Sequence, residues 1–325
     1  MARLRPARPS EIAAILEESH GLWGAGLTHA AYLEMWLELM ATPWGRRRFR
    51  YLVWAEGDGP VLSSFKLYRP EVRLLGRTGP AAVIGAVFTP AGRRRRGHAA
   101  DMIRAAILEA RQAGDPLAML FTDIGKPYYA ALGFRALPAE EASGRLDSTA
   151  PPPPGWELRP MTPSDLSDVI GSHDDECLAR PLAVQRDREH WEFLLVRAHA
   201  YFSRFDGTSL SRRYRVATFR RKFAGYLVAL EGEGVWAVRE VGAPGADPAA
   251  FSAILRAGGE EARSAGLRKI QGWLPREAGD WVPEWRLVQR TRRNAIPMVL
   301  PLDGAADLSP LEVPGAAYLP YLDQF

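Results

Sequence analysis

The chain has 325 residues, of which 47% are hydrophobic and 25% charged. It is too long for one typical core and too apolar for disorder, so two globular units are expected. Its 42 basic and 38 acidic residues leave a net charge of +4, too small an excess to require a nucleic-acid partner. Only Lys66, Lys126, Lys222 and Lys269 are lysines; so arginine-rich a chain reads as a compositional bias. Cys177 stands alone, which excludes an internal disulfide and a cysteine-based metal cluster. Arg3, Arg5 and Arg8 precede no apolar segment of a secretory signal, and no apolar run reaches about 18 residues. The expected compartment is the cytoplasm, without a membrane partner.

In chain order, Leu4-Arg5-Pro6 reads as a short strand. Pro9-Ser10-Glu11 opens a helix that runs to about Ser19, with Ile12, Ile15 and Leu16 on one face. A second helix is predicted from His29 to Met40. Arg50 to Ala55 and Val61 to Tyr68 alternate as strands around Gly57-Asp58-Gly59, a hairpin signal. Glu71 to Leu75 adds to the second strand or forms a third.

The stretch from Ala81 to Phe134 carries the chemistry. Ala81 to Phe88 is an apolar run closed by Thr89-Pro90, as in a buried strand. Arg93 to Arg96 and Gly97 follow. Ala99, Met102, Ile103, Ala106 and Ile107 then recur at helical spacing. Leu117 to Thr122 reads as another buried strand. Strand, glycine loop and helix make a phosphate cradle, because the first amides of a helix have no partner within it. Gly97 lets a ligand approach the backbone, and guanidinium groups bind phosphate bidentately.

Arg94, Gly97 and Ala99 match an Arg-x-x-Gly-x-Ala pattern, and Tyr129, Gly133 and Phe134 match Tyr-x-x-x-Gly-Phe. In this order, between strands and a helix, the two patterns resemble the GNAT superfamily of acetyl-CoA-dependent N-acyltransferases. The resemblance covers Leu4 to Leu137. It implies a mixed twisted sheet with helices on both faces and acetyl-CoA as co-substrate. It assigns Arg94, Arg95, Arg96, Gly97, His98 and Ala99 to the pyrophosphate. It assigns backbone amides around Val87 and Phe88 to the acyl oxyanion, and Tyr129 to protonation of the leaving thiolate. It also puts Trp23, Tyr32 and Trp36 near the acyl acceptor, an amine of a small molecule or a protein; packing under the sheet is their other reading. The base is open among Glu71, Asp123, His20, His29 and the carboxylate of Phe325. The alternative function is a CoA-binding or ligand-sensing protein without turnover.

Pro151 to Pro154 form a stiff spacer. Beyond it, Leu158-Arg159-Pro160-Met161-Thr162-Pro163-Ser164-Asp165-Leu166 echoes Leu4-Arg5-Pro6-Ala7-Arg8-Pro9-Ser10-Glu11-Ile12. The expected architecture is therefore α/β (α+β), two tandem units of one type, residues 1–150 and 156–325. Strands are predicted at Tyr214 to Phe219, Phe223 to Leu230, Val235 to Val241 and Leu267 to Trp273, with a helix from Pro248 to Ala265. The second copy is degenerate. It has no arginine in its loop, and Asp247-Pro248 stands where phosphate would lie. It is expected to shape the substrate site or a homodimer interface rather than to bind CoA. Tandem copies resemble the enhanced-intracellular-survival acetyltransferases, and Arg290 to Met298 is similar to fungal lysine N-acetyltransferases. His173 to Cys177 holds metal-ligand types, but consecutive residues rarely converge on one ion, and no metal is expected. Ser211 to Arg213 and Arg290 to Arg293 read as solvated basic faces, and the aromatic C-terminal tail is expected to dock on the first unit.

Overall fold

A computed structural model describes residues 2–205, 207, 213–303 and 306–324. Met1, Ser211, Arg212 and Phe325 are outside the described residues, and with them the proposed carboxylate base. The first half opens with β1 (Ala2–Pro6), α1 (Pro9–Trp23), α2 (His29–Ala41) and α3 (Pro43–Arg48). The Glu11 carboxylate fixes the start of α1. It accepts the Arg8 amide at 2.8 Å and the Arg5 guanidinium at 2.6 and 2.8 Å. The hydroxyls of Thr28 and Thr42 accept amides of the first turns of α2 and α3.

Next come β2 (Phe49–Glu56), β3 (Val61–Tyr68), β4 (Glu71–Leu74) and β5 (Arg77–Phe88). Then follow α4 (His98–Gln112), β6 (Leu117–Thr122), α5 (Lys126–Ala130), β7 (Arg135–Ala136) and β8 (Glu140–Arg145). The central strand β5 is longer than predicted, because Arg77–Pro80 pairs with β4. Met102, Ile103, Ala106 and Ile107 of α4 are buried against Phe65, Ala82, Ile84 and Leu120 of the sheet. The opposite face packs under α1 and α2.

The second half has β9 (Trp156–Pro160), α6 (Leu166–Leu178), β10 (Leu182–Gln185) and α7 (Arg188–Phe205). It continues with β11 (Tyr214–Phe219), β12 (Lys222–Gly232), β13 (Val235–Gly242), α8 (Pro248–Ser264) and β14 (Lys269–Gly272). It ends with α9 (Ala278–Trp281), β15 (Val288–Thr291), β16 (Ile296–Pro301) and β17 (Ala317–Tyr318). The sequence echo is structural: Asp165 takes the Arg159 guanidinium at 2.5 and 2.7 Å and the Thr162 amide at 2.8 Å, as Glu11 does in the first half.

The two sheets exchange strands across the proline spacer. β8 belongs to the second sheet, ordered β15-β8-β14-β13-β12-β11-β9. β16 belongs to the first, where it pairs antiparallel with both β6 and β7. β10 also extends the first sheet, past β4, and the tail strand β17 pairs with β10, so the tail joins this sheet through a strand of the second half rather than through the first unit. A buried charge cluster ties the C-terminal tail to the rest of the second half. Arg186 binds Glu240 at 2.9 Å through both terminal nitrogens and Asp323 of the tail at 2.8 Å through Nε. The Tyr226 hydroxyl donates to Glu240 at 2.5 Å. Burial would raise the Glu240 carboxyl, but Arg186 wins and holds it down at about 2. For Asp323 burial wins over the same guanidinium and raises it to about 6. Among the described residues no helix is long and apolar enough to cross a membrane.

Candidate active site

β5 and β6 pair in parallel only from Ala81 and Leu117 to Ile84 and Leu120. Past Ile84 the strands part, so the amides from Gly85 to Phe88 meet no β6 carbonyl. On the other edge the β3 register shifts between Lys66, opposite Gly85, and Ser64, opposite Phe88. Ala86 takes the left-handed conformation there (φ 48°), a bulge that turns the strand. The Ser63 hydroxyl donates to the Phe88 carbonyl at 2.8 Å and holds the end of β5 in place.

The chain then loops to α4. Arg94 Nε donates to the Thr89 carbonyl at 3.0 Å. Gly97, with φ 81°, is the residue before the helix, and no side chain caps it. The nearest atom to an added Cβ there is Asp101 Oδ2 at 3.9 Å. The backbone angle, and not crowding within the protein, is what calls for glycine. The first amides of α4 are thus left without a protein acceptor, in a loop where Arg94, Arg95 and Arg96 are exposed.

Between the parted strands, this loop and α5 lies a cavity of about 530 Å³. Its lining includes Val87, Phe88, Arg94, Arg95, Arg96, Gly97, His98, Ala99 and Tyr129. All nine residues singled out in the sequence therefore meet at one place. Among the described residues no carboxylate lines it. Tyr129 packs edge-on against Tyr128 and Phe134, and burial pushes its hydroxyl up to about 12. At neutral pH it is a proton donor. Gly133 (φ 94°) lets the chain turn back, and the Phe134 amide donates to the Tyr129 carbonyl at 3.1 Å.

The remaining sequence candidates separate. Glu71 pairs with Arg48 at 2.8 Å, and Asp123 accepts the Ala295 amide at 2.7 Å. His20 bonds the Leu27 carbonyl through Nε2 at 2.8 Å, and its ring meets those of His29 and Tyr32. Trp23 stands edge-on to Phe88 at the cavity side, whereas Tyr32 and Trp36 pack under the sheet. His173 and Cys177 are buried against the Val184 carbonyl, and Asp175 accepts the Gly245 amide. Among the described residues no group of three metal-ligand types converges.

One residue escapes the sequence reading. Lys66 on β3 is buried on the α1–α2 face, and its Nζ lies 3.2 Å from the Trp36 ring centroid, 5.8 Å from Tyr32 and 5.7 Å from Tyr51. Desolvation lowers its pKa well below the usual lysine range. The aromatic faces favour the cation by about 2 kcal/mol, less than the several kcal/mol of burying an ammonium, so the neutral amine prevails. It stands in the strand VLSSFKLY, in which all residues but Val61 and Leu67 are buried.

The sequence profile described as an acetyltransferase (GNAT) domain matches residues 3–137. Over residues 3–137 the chain is similar to the GNAT superfamily. Solved structures extend the likeness of fold to nearly the whole chain. A protein of unknown function from Enterococcus faecalis, described as a probable N-acyltransferase, superposes with a TM-score of 0.69 at 15% identity, over 93% of this chain and 73% of its own. A GCN5-related N-acetyltransferase from Anabaena variabilis gives 0.70 at 13%, over 93% and 73%. Eis1 from Mycobacterium abscessus gives 0.64 at 17%, over 94% and 74%. No curated protein sequence matches. The GNAT fold is one that supports acyl transfer, and the cavity lies where its central strands part.

Proposed function

We propose that the first unit transfers an acetyl group from acetyl-CoA to a primary amine. The observation that carries this reading is the meeting of the arginine loop, the uncapped N-terminus of α4, the end of β5 beyond its β6 pairing and Tyr129 around one cavity. Bound acetyl-CoA supplies an activated acyl carbon. The α4 amides and Arg94 to Arg96 hold its pyrophosphate. Amides at Val87 and Phe88 donate to the acyl oxygen as negative charge grows on it. The Tyr129 hydroxyl, kept protonated by burial, gives its proton to the departing sulfur. The acceptor enters as an ammonium and must lose a proton before its nitrogen can attack. The second unit, with no arginine in its loop, takes no CoA.

The test is calorimetric titration of the full chain with acetyl-CoA, alongside thiol release in the presence of a panel of amines. Micromolar binding with amine-dependent thiol release supports the transferase. Binding without release for any amine favours the ligand sensor. No binding removes both.

A further inference from the structure

A second cavity, of about 120 Å³, lies where the two sheets and the C-terminal tail meet. Its walls come from the crossover before β8, the turn after β14, Arg292 and the segment around β17. Arg292 is only 8% exposed. Its guanidinium lies over Trp273, Cζ 3.8 Å from the ring centroid. The one bond it makes is long, 3.4 Å from Nη1 to the Ala295 carbonyl. Its Nε is buried without a partner, and among the described residues no carboxylate pairs with it. Arg180 stands on another wall. Its Nε is also buried without a partner, Nη1 donates to the Gly315 carbonyl at 3.1 Å, and Nη2 is 3.8 Å from Glu176. The Tyr318 hydroxyl, on the same lining, is buried and unpartnered.

The carboxylates on this lining do not neutralise Arg292. Glu140 is bound by Arg276 through both Nε and Nη2, and Glu277 is exposed. Burial draws the Arg292 guanidinium down to about 10, outweighing the attraction of Glu141, which does not hydrogen-bond it. A buried charge is normally paired, because leaving it alone costs more than burying the pair.

We infer that this junction cavity binds a small oxyanion, a carboxylate or phosphate group, held by the guanidinium edges of Arg292 and Arg180. Planar guanidinium forks match such oxygens bidentately. The cavity, about 120 Å³, admits a group of acetate or phosphate size. Trp273, Leu274 and Leu319 give the rest of the lining an apolar surface for a short carbon body. The ligand would bridge both sheets and the tail, so its binding should stabilise the assembled chain.

The experiment uses the full chain carrying Gly97→Glu, so that the arginine loop does not add a second anion site. Sodium acetate and inorganic phosphate are titrated separately by calorimetry against a chloride background of equal ionic strength. The expected result is one-to-one binding of at least one of them, with a rise in Tm. Arg292→Gln should weaken it at least about ten-fold, and Arg180→Gln should also weaken it. Arg276→Gln, on the neutralised pair, should change it less than about two-fold. Acetate binding alone names a carboxylate ligand, and phosphate binding alone a phosphorylated one; either supports the site. The inference falls if neither anion binds beyond chloride, or if affinity is unchanged by Arg292→Gln, or by Arg180→Gln should the first variant not fold.

Discussion

The two halves share a scaffold and differ in what fills it. Each begins with the same arginine–carboxylate clamp, Arg5 with Glu11 and Arg159 with Asp165. Each has a central strand that bulges and parts from its parallel neighbour: β5 from β6 past Ile84, β13 from β14 past Val238. In the first half the helix beyond starts at Gly97 with bare amides and four arginines before it. In the second, Asp247 accepts the Ala249 amide at 3.0 Å and Asp175 accepts the Gly245 amide at 2.6 Å. The chain's own carboxylates take the donors that an anion would need. Tyr321 of the tail sits against Trp273 and under the Arg239 guanidinium, next to the parted strands. The two loops thus differ in whether the amides at the start of the following helix already have acceptors within the chain.

The strongest way to break this contrast is to put a carboxylate into both loops. Gly97→Glu should weaken acetyl-CoA binding at least about 100-fold, by repulsion and by strain at a left-handed residue. Gly245→Glu, at an equally left-handed glycine (φ 64°) with open space around it, should leave it unchanged in the same titration. An equal loss in both variants would abolish the distinction between the copies. Next in size, Tyr129→Phe should lower kcat for amine acetylation by about 100-fold while the acetyl-CoA Kd stays the same.

Lys66 sharpens the comparison in the first half alone. Held neutral when folded, it binds its proton only in the unfolded chain at pH values between its lowered pKa and the ordinary 10.5. Stability should therefore rise with pH across that window. Lys66→Met should be more stable than the parent at pH 7 by more than about 1 kcal/mol, with the gap closing near pH 10.5, as read by urea unfolding. A gap independent of pH would mean the lysine is charged in the fold. The smallest effect belongs to the second half. Asp247→Ala removes a helix cap and should cost about 1 kcal/mol of stability, with no change in acetyl-CoA affinity.

Much of this was legible in the residues. Local signals fixed Val61–Tyr68, Tyr214–Phe219 and the start of α8 at Pro248, because alternation and Asp-Pro act over a few positions. The nine residues named from the sequence share one cavity lining, and six of them, Arg94 to Ala99, could be grouped from sequence because they are contiguous. Short-range pattern could not reveal the partners of β8 and β16. An alternating strand looks the same whichever sheet receives it, and the choice is made by packing across the whole chain. Lys66 and Arg292 escaped for a related reason: their burial is set by neighbours distant in sequence.

The strand exchange has a consequence for the chain as it is made. The edge of β6 waits for β16, which follows about 180 residues later. At roughly 5–20 residues per second, the ribosome delivers that strand some 10–35 seconds after β6 emerges. Until then the apolar residues of Leu117–Thr122 present an open edge, a template for wrong pairing.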